Sequence, residues 1–199
     1  MNIAKKMFPA LFDIIAMAHQ HMQRGHNIYH VIAATNLTYR IALEEIALGE
    51  TAGDEEVASA VLGCTLHNTD RELEQKLGRK PTDDEVRQLL MVRLAPINVS
   101  DKSKKYSVEA VLEHAGPNKS THTLVTKWVR DGDRCANMML NLVIRSGQRY
   151  PELQDVDFVH FLSDPEATYN EPRSVLFDIA ASTDDWVLPE SKFCVQTEA

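Results

Sequence analysis

Apolar side chains recur along this chain mostly at three- and four-residue intervals, the spacing of one face of an α-helix. The clearest stretch is VASAVLGCTLHNTDR at positions 57–71. Val57, Ala60, Val61 and Cys64 share a face there, and continuing it by three and four residues reaches His67 and Asn68. Polar groups at the end of a buried stripe cost roughly 1–3 kcal/mol each when left without partners. A metal ion with ligands drawn from other helices would satisfy them.

The same spacing predicts the other elements. Pro9 opens a helix over about 9–22, with Phe12, Ile15, Ala16 and His19 on one side, and Gly25 breaks it. Asn27 caps a second helix over about 28–48, on which His30, Ala33, Ala34, Leu37 and Ile41 share a face, and Gly49 ends it. Asp54 is positioned to cap the helix that carries His67. After Asp70, RELEQKLGRK reads as one or two solvated helical turns. Thr82 with Glu85 forms a capping-box signal for a helix over about 83–94, which Pro96 stops. INVSDKSKKY reads as a loop, and a short helix, SVEAVLEHA, starts at Ser107 and stops at Gly116 and Pro117. A last long helix is expected over 121–146, ended by Gly147.

Beyond Tyr150 the character changes. Pro151, Pro165, Pro172 and Pro189 punctuate an acid-rich stretch in which 156–162 and 173–181 are short helical candidates. No alternating strand pattern or internal repeat stands out. The expected fold is an all-α bundle of about six or more helices over residues 1–150, with 151–199 as an irregular extension packing on it. That extension could cover a pocket or form a homodimer contact.

Composition narrows the function classes. A chain of 199 residues with 44% apolar and 25% charged positions is ordinary for one globular domain. The formal charge of −8 argues against an extended nucleic-acid surface or an anionic-membrane surface. A small phosphorylated ligand stays open, since it needs only a local pocket of Lys and Arg. Cys64, Cys135 and Cys194 are odd in number and far apart, which speaks against a disulfide framework. The start, MNIAKKMFPALFDIIAMAHQHMQ, is basic then apolar, but histidines and an acid interrupt it. It matches neither a membrane span nor a signal peptide, so a cytoplasmic protein is expected.

Three helices each place polar groups on an otherwise apolar face: His30 on one, His67 and Asn68 on the next, and Asp133 in line with Val125, Val129, Ala136 and Leu140. A neighbouring stripe of Leu124, Trp128, Cys135 and Leu142 contains Asp131, so periodicity alone does not choose between Asp131 and Asp133. Cys64 stands three residues before His67, a zinc-like spacing, but no second cysteine is near and a small buried apolar role fits better. His19, His21 and His160 read as structural or surface side chains, and Trp128 with Met138 to Leu140 as core.

The fragments GHNIYHVIAATNLTYRIA, AVLGCTLHN and VRDGDRCANM resemble the HD-domain family of metal-dependent phosphohydrolases, over roughly residues 25–139. The resemblance implies a helical bundle whose metal is held by His30, by His67 of a doublet, and by Asp133. Asn68 stands where that doublet has an aspartate. Its neutral carbonyl oxygen would bind a divalent ion less well and activate a bound water less. Asp70, three residues beyond His67, is placed to substitute. His114 would add a second-metal, substrate or proton-transfer role; His122 could join it, though an exposed side chain is the preferred reading. His26 would give supporting or substrate contacts. Arg71, Lys119 and Arg134 flank the ligands as phosphate clamps. Mixed nitrogen and oxygen donors suit Mn, Fe, Co, Ni or Zn better than calcium.

The implied function is metal-dependent hydrolysis of a small phosphate ester such as a nucleotide, with Asp70 or His114 moving the proton. Two alternatives stand beside it. One is a catalytically impaired HD-like domain that binds a nucleotide or a partner protein in a regulatory role. The other, ranked last, is a dinuclear oxygenase, which would want a bridging carboxylate where Asn68 stands.

Overall fold

A computed structural model describes residues 2–20, 22, 27–115 and 119–137, and every regular element among them is a helix. The order is α1 (Ile3–Met7), α2 (Pro9–Ala18), α3 (Ile28–Ala47), α4 (Asp54–Leu66), α5 (Thr69–Leu77), α6 (Asp83–Leu94), α7 (Asp101–Glu113) and α8 (Leu124–Asn137). The expected continuation of the last helix to 146, the two short C-terminal pieces and the extension over 151–199 lie outside the described residues.

Local chemistry sets the helix ends. Pro9 is the first residue of α2, where its missing N–H costs nothing. The Asn27 side chain accepts the His30 N–H at 3.2 Å and so starts α3. At α6 the Thr82 hydroxyl accepts the Glu85 N–H at 3.3 Å, while the Glu85 carboxylate accepts the Thr82 N–H at 2.8 Å. Gly49 leaves α3 at a φ of 106°, a conformation costly for any side chain.

Several boundaries differ from the sequence reading: α2 ends at Ala18 rather than about 22, and α8 begins at Leu124 rather than 121. A short α1 precedes α2, capped by the Asn2 side chain accepting from Lys5 N–H at 3.0 Å. Helix α7 begins six residues ahead of Ser107, because Ser100 caps it through the Ser103 N–H at 3.0 Å. That cap hides inside a polar run that reads as a loop. Gly53, not Asp54, is the cap residue of α4, and its N–H is taken by the Glu56 carboxylate at 3.1 Å. Most consequential, α4 stops at Leu66, and His67 and Asn68 form the joint before α5.

The core has two parts, and α4 belongs to both. On one side Ala60 and Cys64 pack with Ala34 and Ile41 of α3 and with Val125, Trp128 and Val129 of α8. On the other, Val61, Leu62 and Leu66 pack with Leu11 and Ile15 of α2, Leu90 and Leu94 of α6, and Val108 and Val111 of α7. Each such side chain contributes about 1.5–3 kcal/mol when fully buried. Residues 59–69 are buried without a break, so α4 is the central pillar and His67 lies at its inner end.

The helix after the joint is held by charge. Arg93 of α6 and Glu72 of α5 are 7% and 2% exposed, with Nη2 donating to Oε2 at 2.5 Å. Arg93 Nη1 also donates to the Thr69 hydroxyl at 3.1 Å, and Lys76 Nζ reaches the other Glu72 oxygen at 2.5 Å. Removing one partner of such a pair strands a buried charge. Glu72→Gln is therefore expected to lose about 3–5 kcal/mol in urea unfolding. Lys105→Ala, at an exposed pair 3.8 Å from Glu109, should leave the midpoint where it is.

Candidate metal centre

Three helices deliver the centre. His30 lies in the first turn of α3, His67 directly follows the last residue of α4, and Asp133 sits within α8. His30 Nε2 donates to Asp133 Oδ1 at 2.9 Å across 103 residues of chain. His67 Nε2 is 3.2 Å from His30 Nε2 and 3.5 Å from the same carboxylate oxygen. All three ligand atoms lie within 4.8 Å of one another. Both imidazoles are buried, while the Asp133 side chain is 19% exposed and gives the cluster its access to solvent.

The tautomer of His67 is set by its own helix. Its Nδ1–H donates to the Cys64 carbonyl at 2.6 Å, one of the carbonyls left open where α4 ends. When the ring is neutral, Nε2 is then the lone-pair nitrogen, and it faces His30. Burial pushes the His67 pKa down, but the hydrogen bond and charge of Asp133, with a smaller contribution from the Cys64 side chain, hold it well above the usual value. Burial would raise the Asp133 carboxyl, yet the hydrogen bonds from His30 and His67 hold it well below the carboxylate range. The arrangement favours a cation between the two nitrogens. Two imidazoles and a carboxylate, with an imidazole oriented by a backbone carbonyl, form a donor set that could hold a divalent transition-metal ion.

The remaining sequence candidates divide around this cluster. Asn68 is 2% exposed, makes no side-chain cap to α5, and its Nδ2 has no partner. Asp70 is on α5, beyond the joint, so the shared helix face with His67 expected from their spacing does not exist. Its Oδ1 is buried without a partner, and its Oδ2 lies 3.7 Å from Arg71 Nε. His114 follows the last residue of α7 and donates Nδ1–H to the Val111 carbonyl at 2.7 Å, while its ring stands edge-on to His67 with centroids 5.6 Å apart. It thus both closes its helix and faces the centre. Burial lowers its pKa, against the opposing charges of Asp133 and Asp70.

The basic candidates are less convergent. Arg71 is exposed and paired with Glu74 at 3.0 Å. Lys119 is exposed, its backbone N–H donating to His122 Nδ1 at 3.4 Å. Arg134 follows Asp133 on α8. His122 is buried rather than exposed, because Arg130 Nη1 donates to its Nδ1 at 3.0 Å. Asp131 is buried but is no member of the cluster, which settles the choice in favour of Asp133. His21, His26, His160 and Met138 to Leu140 lie outside the described residues.

One neighbour of the centre was legible only as an ordinary histidine. His19 follows the last residue of α2, on the face of Phe12 and Ile15, and is buried with no hydrogen-bond partner for either ring nitrogen among the described residues. Burial first, then the positive fields of His67 and Arg93, lower its pKa to about 4 despite Glu72. Its placement four residues after Ile15 was the signal available in the sequence. An imidazole neutral in the fold and ordinary when unfolded takes up its proton in the unfolded chain first. Stability is therefore kept above pH 6.5 and lost as pH falls towards 4, by up to about 3 kcal/mol. His19→Leu should flatten that loss in urea titrations stepped through the window; an unchanged slope would remove His19 from this account.

Comparison of the chain with protein-family models, curated proteins and solved structures gives no match.

Proposed function

We propose that this chain is a metal-dependent phosphohydrolase of the HD type, acting on a small phosphate ester such as a nucleotide. The observation that carries the reading is the meeting of two imidazole nitrogens, 3.2 Å apart, with a carboxylate from a third helix. These are the residues that the resemblance names as ligands. A divalent ion held by His30, His67 and Asp133 would supply Lewis acidity towards a phosphoryl oxygen and a lowered pKa for water.

The chain's own residues would do the rest. Cys64 keeps the lone pair of His67 on Nε2. The unpartnered Nδ2 of Asn68 is a hydrogen-bond donor beside the centre, suited to a water or phosphate oxygen. His114, neutral and edge-on to His67, and Asp70, with one unpartnered oxygen, are the groups placed to hold or move a proton. Arg71, Lys119 and Arg134 are the cations available for the ester's charge.

Asn68 also favours a second reading, in which an impaired centre binds a nucleotide or a partner protein in a regulatory role. Elemental analysis separates the two when paired with a screen of phosphate esters. The first reading expects about one divalent transition ion per chain, lost in His67→Ala, together with phosphate release. Metal taken up only by Asn68→Asp, with no turnover in the native chain, selects the second. No metal in either variant ends the ligand assignment. Affinity should also fall as the solution is made acidic, because protons compete for the high-pKa His67 nitrogen, and isothermal titration at stepped pH measures this.

A further inference from the structure

Asp133 follows a glycine, and that glycine sits at the tightest helix crossing described. Helices α3 and α8 make the most extensive packing contact of any pair. A Cβ added at Gly132 would stand 2.0 Å from Thr38 Oγ1, 2.8 Å from Thr38 N and 2.9 Å from Thr38 Cα. The hydroxyl could rotate away. The Thr38 nitrogen and Cα cannot, because they are backbone in the middle of α3.

We propose that Gly132 is a positioning residue of the metal centre: its missing side chain lets α8 close onto Thr38, and that approach sets the spacing between Asp133 and His30. The inference rests on the metal reading given above. Carbon contacts normally settle at about 3.5–4.0 Å, so a methyl at 132, only 2.9 Å from Thr38 Cα, would force the helices to part or slide by about 0.6 Å or more. A metal site tolerates about 0.2 Å in its ligand distances, and a working constellation about 0.5 Å. Asp133, next in the chain, moves with the helix. His30, on the same rigid α3 as Thr38, stays behind. The displacement therefore exceeds what the ligand set can absorb, and a short side chain cannot make it up without leaving its rotamer. Among the other described glycines, Gly49 and Gly78 meet nothing within 4 Å, and a Cβ at Gly63 would stand no nearer than 3.3 Å to Ala110 Cβ and the Ser107 oxygen, so overlap under 3.0 Å is particular to this crossing.

The test is cobalt titration of the full chain, followed by visible absorption and by circular dichroism, for the native protein, Gly132→Ala and Leu90→Ala. Leu90 is fully buried in the part of the core packed around α6 and serves as a control for destabilisation alone. The expected result is a folded Gly132→Ala chain that binds cobalt about tenfold or more weakly, with an altered d–d spectrum. Leu90→Ala should keep the native spectrum and affinity. Native spectrum and affinity in Gly132→Ala, or the same losses in Leu90→Ala, overturn the inference. If Gly132→Ala does not fold, Gly132→Ala with Thr38→Gly relieves the side-chain clash but keeps the backbone one. Recovered folding with a shifted spectrum supports the proposal, whereas recovery of the native spectrum, or no folding, overturns it. A native chain that takes up no cobalt sinks the metal reading itself, and this inference with it.

Discussion

Two imidazole nitrogens 3.2 Å apart, with a carboxylate oxygen against both, favour a positive charge among them. A proton can supply it, and so can a metal ion. Everything around the site serves to make that arrangement unavoidable. His67 cannot turn its lone pair away, because Nδ1–H is engaged by the Cys64 carbonyl. His30 is held in the first turn of α3, whose start is fixed by the Asn27 cap. Asp133 is carried in by α8, which presses on α3 more closely than a side chain at Gly132 would allow.

The position of His67 depends on both sides of the joint. Upstream, α4 is packed by α3 and α8 on one flank and by α2, α6 and α7 on the other, so its inner end has no room to shift. Downstream, α5 is tied to α6 by the buried Arg93–Glu72 pair, with Thr69 as a further acceptor. That pair is costly to desolvate, and its return is geometric: it holds in place a short helix that has few apolar contacts of its own. The break at His67 leaves open the carbonyl that orients the ring.

Some of the buried polar atoms that lack hydrogen-bond partners among the described residues sit at this joint. The nitrogens of His19, the Nδ2 of Asn68 and one oxygen of Asp70 all belong to it. Buried groups of this kind are rare in native structures. On the proposed reading, Asn68 brings a donor rather than a charge to the centre, and the balance between turnover and binding hangs on it.

The sequence by itself determined most of the helices, two of their caps, and His30 and His67 as polar groups on otherwise apolar faces. Periodicity and capping are local properties, carried by residues three or four apart, so Asn27, the Thr82–Glu85 box and the buried face of α4 could all be read without tertiary contacts. What depends on distant chain was not legible. Two apolar stripes overlap on α8, and only its crossing with α3 turns Asp133 rather than Asp131 to His30. The burial of His122 follows from Arg130, and the burial of His19 beside the centre follows from where α2 docks. The end of α4 at Leu66 is written in no glycine or proline. Helix positions are local, but the contacts between helices are set by the shape of both partners, and at this site by one missing side chain.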